Sequence, residues 1–308
     1  MRFSRSAPLA LSLAALALFP LKGGGQAAVP PLVDVGWLAQ HIADEDLVLL
    51  HVGSRDQYVA AHIPGARLVN MSDLAAPHDM GRHEDELALE LPDPAVARER
   101  LESLGISDDS HIVVYWGADW VSPATRVVFT LDWLGLGPRT SLLDGGLPAW
   151  TAAGHGATDV LPPPASRGRI AARAVRDDLV VDASWVRAHA GRQGFAVVDA
   201  RDAVFYNGTE GNDRRGHVPG AVSIPYTTLV GDGLRVRDLA ALRASFTAAG
   251  IEPGDVVAVY CHIGQQGTAI VFAARLLGHD ARLYDGSFQD WSRRAELPVE
   301  NPAESARR

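Results

Sequence analysis

Cysteine is almost absent from this chain: Cys261 is the only one in 308 residues. That excludes an intrachain disulfide, and with it any zinc or iron–sulfur site built from several cysteines. Lysine is equally scarce, with Lys22 alone, and the remaining basic side chains are arginines. A mechanism that needs a lysine beyond the N-terminal segment is closed. Positive charge is also short. The net charge of −9 argues against nonspecific nucleic-acid binding, which needs clustered basic residues. It does not exclude a small anionic substrate, because charge at a site can oppose the net charge. Long apolar runs are missing but for one, "APLALSLAALALFPL" from Ala7 to Leu21. Arg2 and Arg5 precede it, and small residues lead from it to Ala27 and Ala28. The run is shorter than the ~20 residues of a spanning helix. It is expected to be a signal peptide covering residues 1–28. The protein would then be exported, periplasmic or secreted, with no membrane contact after cleavage. In an oxidising compartment a lone thiol cannot close a disulfide in its own chain.

What the chain does have is repetition. "DLVLLHVGSRDQYVAAHIPGARLVNMSDL" (Asp46 to Leu74) parallels "FAVVDARDAVFYNGTEGNDRRGHVPGAVSIPYTTL" (Phe195 to Leu229). "SLGISDDSHIVVYWGADWVSPATRVVFTLDWLGL" (Ser103 to Leu136) parallels "AAGIEPGDVVAVYCHIGQQGTAIVFAARLLGH" (Ala248 to His279). "LLDGGLPAW" (Leu142 to Trp150) parallels "LYDGSFQDW" (Leu283 to Trp291). Three matched blocks in one order imply a duplicated domain of ordinary size. The expected division is 29–152, a linker over 153–176, a second copy over 177–300 and a tail over 301–308. The Gly- and Pro-rich composition around Pro162 to Pro164 marks the linker and should hold it extended.

Each copy alternates short apolar strands with helical stretches. "FAVVDA", "AVSIP", "VVAVYC" and "ARLYDG" read as strands. "DLAALRASFTAAG" reads as an amphipathic helix closed by Gly250, and "QQGTAIVFAARLLG" as a second closed by Gly278. The fold class is therefore α/β: in each copy a mostly parallel sheet with helices on both faces. Ligands of such sheets sit beyond the carboxyl ends of the strands. Cys261 lies at such an end.

"VVAVY" should be a central strand, with a helix starting near Gln266 or Gly267. The residues between, Cys261, His262, Ile263, Gly264, Gln265 and Gln266, form a tight loop. Its N–H groups can turn inward, with the positive end of the helix dipole behind them. Such a cradle stabilises a thiolate and a bound oxyanion together. Gly264 lets the loop curl. The thiol must be within solvent's reach for this chemistry. A residue next to the nucleophile on a curled loop usually points away from it, so His262 is expected to be a wall or an electrostatic neighbour.

With these residues in view, the chain resembles a rhodanese-type sulfurtransferase with two tandem rhodanese-like domains. The resemblance runs from about Leu32 to Trp291. It rests on the two H-[IV]-P-G-A blocks, the "VDAR" strand end (Val198 to Arg201), the loop from Cys261 to Gln266, and "YDGSFQDW". It implies that Cys261 takes a sulfane sulfur as a persulfide and passes it to cyanide or a thiol. It implies a small anionic donor, thiosulfate or 3-mercaptopyruvate, and no cofactor. It also implies a first copy without catalysis, in agreement with Trp116 at the position of Cys261. The loop lacks the basic residues usual in thiosulfate-type members, and Phe205 stands where an arginine is common. Arg214 and Arg215 remain as candidates to meet the donor. Arg201 is expected to pair with a nearby acid such as Asp285 and brace the strand ends, with substrate contact the lesser alternative. Ser287 and Phe288 are expected to border the pocket. His62 and His217, duplicated in both copies, point to hydrogen bonding in the fold, and Trp150 and Trp291 to the core.

Two rivals use the same features. A cysteine phosphatase shares the strand–loop–helix cradle but needs an arginine at the loop's end to clamp phosphoryl oxygens; here that neighbourhood reads Gln265, Gln266, Gly267. A persulfide carrier or redox-sensing module would use Cys261 without turnover. His78, Asp79, His83, Glu84 and Asp85 lie in a polar loop whose irregular spacing speaks against a metal site.

Overall fold

The computed structural model describes residues 28–77, 86–117, 120–211 and 214–305. The expected signal peptide and the polar cluster from His78 to Asp85 fall outside the described residues. In the first copy the elements run β1 (Leu32–Val33), α1 (Val35–His41), β2 (Leu47–Val52), α2 (Arg55–Ala60), β3 (Arg67–Val69) and α3 (Pro94–Ser103). They continue with β4 (His111–Trp116), α4 (Val121–Trp133), β5 (Thr140–Leu143) and α5 (Gly146–Ala152). The second copy repeats the plan with β6 (Val180–Val181), α6 (Ala183–His189), β7 (Phe195–Asp199), α7 (Ala203–Tyr206) and β8 (Val222–Ser223). It goes on through α8 (Leu239–Ala248), β9 (Val256–Tyr260), α9 (Gly267–Leu276), β10 (Asp280–Tyr284), α10 (Ser287–Arg293) and α11 (Pro302–Ser305).

Each copy holds one five-stranded sheet. The orders are β1-β5-β4-β2-β3 and β6-β10-β9-β7-β8, and the pairings are parallel. The strands that carry Trp116 and Cys261 at their ends are therefore central, as the apolar runs "HIVVYW" and "VVAVY" require of strands buried on both faces. Helix α8 starts where the Asp238 carboxylate accepts the N–H of Ala241 at 2.7 Å, an N-cap. It stops before Gly250 at φ +79°, a left-handed position that favours glycine. "AVSIP" yields only the two residues of β8, which pair with Val198 and Asp199 at the sheet's edge.

Helices cover both faces. One apolar core joins α3, α4, α8 and α9 to the inner faces of both sheets and runs without a break from Leu50 and Val114 to Val259 and Leu283. The outer faces carry separate cores, one with Leu38 and Trp150, the other with Val186 and Trp291. The chain from 153 to 176 holds no named helix or strand and is tied to the first copy. Gly168 N–H donates to Glu102 O at 2.8 Å, and Ile170 N–H to the Glu102 carboxylate at 2.9 Å.

The duplicated histidines do in both copies what their duplication suggested. His62 Nδ1 meets Tyr58 O, and His217 Nδ1 meets Tyr206 O, each at 2.7 Å. Beside them, Tyr115 Oη accepts the N–H of Ile63 and Tyr260 Oη that of Val218. The H-[IV]-P-G-A blocks are thus pinned to the central strands. Trp150 and Trp291 are buried, and each indole N–H donates to a carbonyl, Gly156 O and Pro298 O.

Candidate active site

The end of β9 brings Cys261 to the mouth of the second sheet, and α9 begins six residues later at Gly267. The loop between is held by its carbonyls. Cys261 O accepts from Phe288 N and His262 O from Gln289 N, both at 3.0 Å. Gln265 O and Gln266 O accept from Thr268 N and Ala269 N. Gly264 O accepts from Arg126 Nη1 at 3.3 Å. Among the described residues, no acceptor meets the main-chain N–H groups of His262, Ile263, Gly264, Gln265 or Gln266. The loop therefore spends its oxygens on the scaffold and keeps its donors. A row of unspent N–H groups at a helix start is an anion site.

Gly264 has φ +81°, so the left-handed turn expected of it is present. It is also a close approach: a Cβ there would stand 2.7 Å from Asp285 O and 3.2 Å from Arg126 Nη1.

The cysteine is more enclosed than expected. Cys261 has 0% of its surface exposed, so the thiol is not within solvent's reach in this conformation. The reason is packing, since the side chain lies in the inner core with Val259, Ala269 and Ile270. Ser287 Oγ accepts the Cys261 N–H at 3.1 Å and donates to Tyr284 O at 2.9 Å. Ser287 was expected at the pocket's border; it is instead buried, with its hydroxyl engaged on both sides and a left-handed φ of +54°. It supports the main chain of Cys261 and does not line the pocket.

Beside the loop lies a pocket of about 400 Å³, lined among others by Arg201, Phe205, Arg214, Arg215, His262 and Phe288. Arg201 does not pair with Asp285. Its guanidinium forks onto Asp199, at 2.6 Å from Nη2 and 3.0 Å from Nε, and donates to Gly216 O. Residues two apart at a strand end share a face, so the nearest acid was the one in the same motif. The Arg201 guanidinium stacks 3.9 Å from the centre of the Phe288 ring. Arg214 donates to the carbonyls of Ser292, Arg294 and Leu297, which binds the end of α10 and leaves the side chain little to offer a ligand. Arg215 is exposed and, among the described residues, has no hydrogen-bond or ion-pair partner.

His262 faces the same pocket, its ring edge-on to Phe205 at 4.6 Å and 89°. Burial, with Arg201 nearby, holds its proton affinity below the usual histidine range. The imidazole is neutral near pH 7 and forms a wall. Gln265 Nε2 donates to Ser122 Oγ at 3.3 Å, Gln266 is the residue before α9, and Ile263 is half-buried.

Sequence reasoning missed Arg126 and Asp285 as a pair. Arg126, on α4 of the first copy, meets the Asp285 carboxylate at 2.5 Å, with both side chains buried. Asp285 also accepts the N–H of Leu91 at 2.7 Å. The mirror arrangement uses Asp144, which accepts from Val236 N and Arg235 Nη1. The repeated "DG" of the third sequence block was the available signal: each aspartate reaches into the other copy.

The Rhodanese-like domain family matches residues 34–153 and again 182–294. The chain belongs to the rhodanese family, with two tandem copies of its domain. It is 30% identical over 288 residues to the 3-mercaptopyruvate sulfurtransferase of Escherichia coli K12, spanning 87% of this chain and 97% of that protein. It is 32% identical over 250 residues to the putative thiosulfate sulfurtransferase SseB of Mycobacterium tuberculosis H37Rv, spanning 79% of this chain and 84% of that protein. The crystal structure of YnjE superposes with a TM-score of 0.78 at 22% identity, over 89% of this chain and 70% of that one, a likeness of fold.

Proposed function

We propose that this protein is a sulfurtransferase that moves a sulfane sulfur from a small anionic donor, thiosulfate or 3-mercaptopyruvate, to cyanide or a thiol through a persulfide on Cys261. The observation that carries the proposal is the loop from His262 to Gln266: the carbonyls of His262, Gly264, Gln265 and Gln266 are engaged, and among the described residues its N–H groups meet no acceptor. Relatives named as sulfurtransferases of both donor types support it.

With thiosulfate, the Cys261 thiolate attacks the outer sulfur. The new S–S bond forms as the donor's S–S bond breaks, and sulfite departs with the electron pair. With 3-mercaptopyruvate the C–S bond breaks, the carbon keeps the pair and takes the thiol proton, and pyruvate leaves. In either case an anionic persulfide remains against the N–H groups of the loop. Cyanide or a thiolate then attacks the terminal sulfur and restores the Cys261 thiolate. Two half-reactions give ping-pong kinetics. The donor enters by the 400 Å³ pocket, where Arg215 meets its charge and His262 forms a wall.

Intact-mass measurement after incubation with each donor tests the proposal. The wild type gains one sulfur atom and Cys261→Ser gains none. Absence of any gain with both donors would remove the persulfide route. Steady-state turnover with cyanide separates an enzyme from a carrier that loads but does not release. The N-terminal apolar run supports export, which sequencing of the N terminus of protein recovered outside the cytoplasm tests: a start near residue 28 agrees, and an intact Met1 does not.

A further inference from the structure

The two copies meet through α4 and α9, and the meeting is nearly symmetric. Ser122 Oγ accepts from Gln265 Nε2, Thr125 Oγ1 lies 2.9 Å from Thr268 Oγ1, and Arg275 Nη1 pairs with Asp132 at 2.6 Å. Each pair is separated by the same 143 residues, so each joins a residue to its own counterpart in the other copy. A local two-fold axis runs between the helices. On the first copy the contacts Ser122, Thr125 and Arg126 follow helical spacing, which turns one polar, buried face of α4 onto the start of α9 and the loop before it.

Several of these positions differ in residue type between the copies, and one difference bears on the site. At the same interval the counterpart of Arg126 is Ala269. The loop that an arginine at that position would serve, in the first copy, begins at Trp116 and has no sulfur. Trp116 is fully buried, and it presses so closely on Gly146 that a Cβ there would fall 2.7 Å from its carbonyl oxygen and 2.8 Å from its ring. That copy has a filled core where the other has a cradle. Arg126 is thus a cation present only on the copy without a cysteine, aimed at the loop of the copy that has one.

We infer that Arg126 is a positioning residue for sulfur transfer at Cys261, holding the persulfide loop from the opposite domain. This rests on the reading of Cys261 as the sulfur carrier. Three groups converge on the one guanidinium: Gly264 O at 3.3 Å, the Asp285 carboxylate at 2.5 Å and Leu89 O at 2.5 Å. Gly264 is the curl of the loop. Asp285 lies in the turn from β10 to α10, whose Phe288 and Gln289 N–H groups hold Cys261 O and His262 O. Arg126 therefore fixes the loop directly at Gly264 and indirectly through the start of α10. It does not line the donor pocket, so it acts on the placement of the loop's donors and not on capture of the donor molecule.

Single-turnover sulfur loading of the full chain, followed by intact mass over a range of thiosulfate or 3-mercaptopyruvate concentrations, tests this with Arg126→Gln and Arg126→Lys. Thermal midpoints are measured alongside, and rates are taken per folded molecule well below them. Displacing a reacting group by about 1 Å costs on the order of a hundredfold. The saturating loading rate of both variants should fall by about ten- to a hundredfold while the donor concentration for half-maximal rate stays near the wild-type value. A lysine ammonium carries the charge but cannot fork onto three acceptors, so Arg126→Lys should recover stability more than rate. If Arg126→Lys loads at the wild-type rate, or if either variant loses only apparent donor affinity, the positioning role is wrong. Sulfur gain by the wild type tests Cys261; the ratio of variant to wild type tests Arg126.

Discussion

Around the sulfur, single residues divide the labour by what they have left to give. Arg201 and Arg214 line the pocket but are committed to Asp199 and to main-chain carbonyls. Arg215 is exposed and, among the described residues, has no partner. Arg215→Ala should raise the donor KM about tenfold, the scale of one charged hydrogen bond, with kcat little changed; steady-state assays with cyanide at low salt read this. An unchanged KM would leave the donor's charge to the loop alone. His262 is neutral because burial and Arg201 disfavour its charged form. Removing a true acid or base costs about a hundredfold or more, so His262→Ala should cost under about tenfold if the ring is a wall. At this scale the sequence was legible for the place of Cys261 at the end of β9 and for the curl at Gly264, because each follows from local spacing. For Arg201 an acid partner was expected and is present, but it is Asp199 and not the example, Asp285. That acid answers to Arg126 across the domain interface, and no local spacing carries a contact between residues so far apart in the chain.

Among the elements, β9, the loop and α9 form the working unit, and α10 and α4 hold it from two sides. Gly264 is where these meet. Gly264→Ala forces a side chain into a left-handed backbone position, at about 1–3 kcal/mol, and sets its Cβ 2.7 Å from Asp285 O. The thermal midpoint should drop by several degrees in calorimetry, and sulfur loading should drop with it; a variant as stable and as fast as wild type would contradict the packing. The starts of α8 and α9 and the central place of β9 were legible, since a capping aspartate and a fully apolar strand are local signals. The length of β8 was not. An edge strand's extent depends on what it pairs with, and "AVSIP" alone does not say where pairing ends. Burial of Cys261 was also missed, because it comes from the inner core that the two copies build together.

In the molecule as a whole, two copies of one fold share a continuous core, and duplication has been put to asymmetric use. One copy fills its loop with Trp116; the other leaves a cradle and is braced by its neighbour. The order of the three repeated blocks made this architecture legible, whereas the cross-braces from Asp144 and Asp285 depend on how the copies dock. Stability of the whole should fall on acidification. His111 and His262 both hold protons less tightly in the fold than the ordinary histidine value of 6.5, His111 through burial and then Arg139, His262 through burial and then Arg201. Above 6.5 both are neutral, folded or unfolded, and their contribution is complete. Below it the unfolded chain takes up more protons, and stability is lost as pH falls through the depressed folded values. Denaturant midpoints should decline from pH 7 to pH 5; a flat profile would contradict the burial of these rings.

The most direct measurement is the mass of the intact protein after exposure to thiosulfate or 3-mercaptopyruvate. One added sulfur, located on Cys261 by peptide mapping and removed by cyanide, is the predicted result. An unchanged mass, or a sulfur that Cys261→Ser still acquires, would contradict the assignment of the loop from His262 to Gln266 as a persulfide cradle.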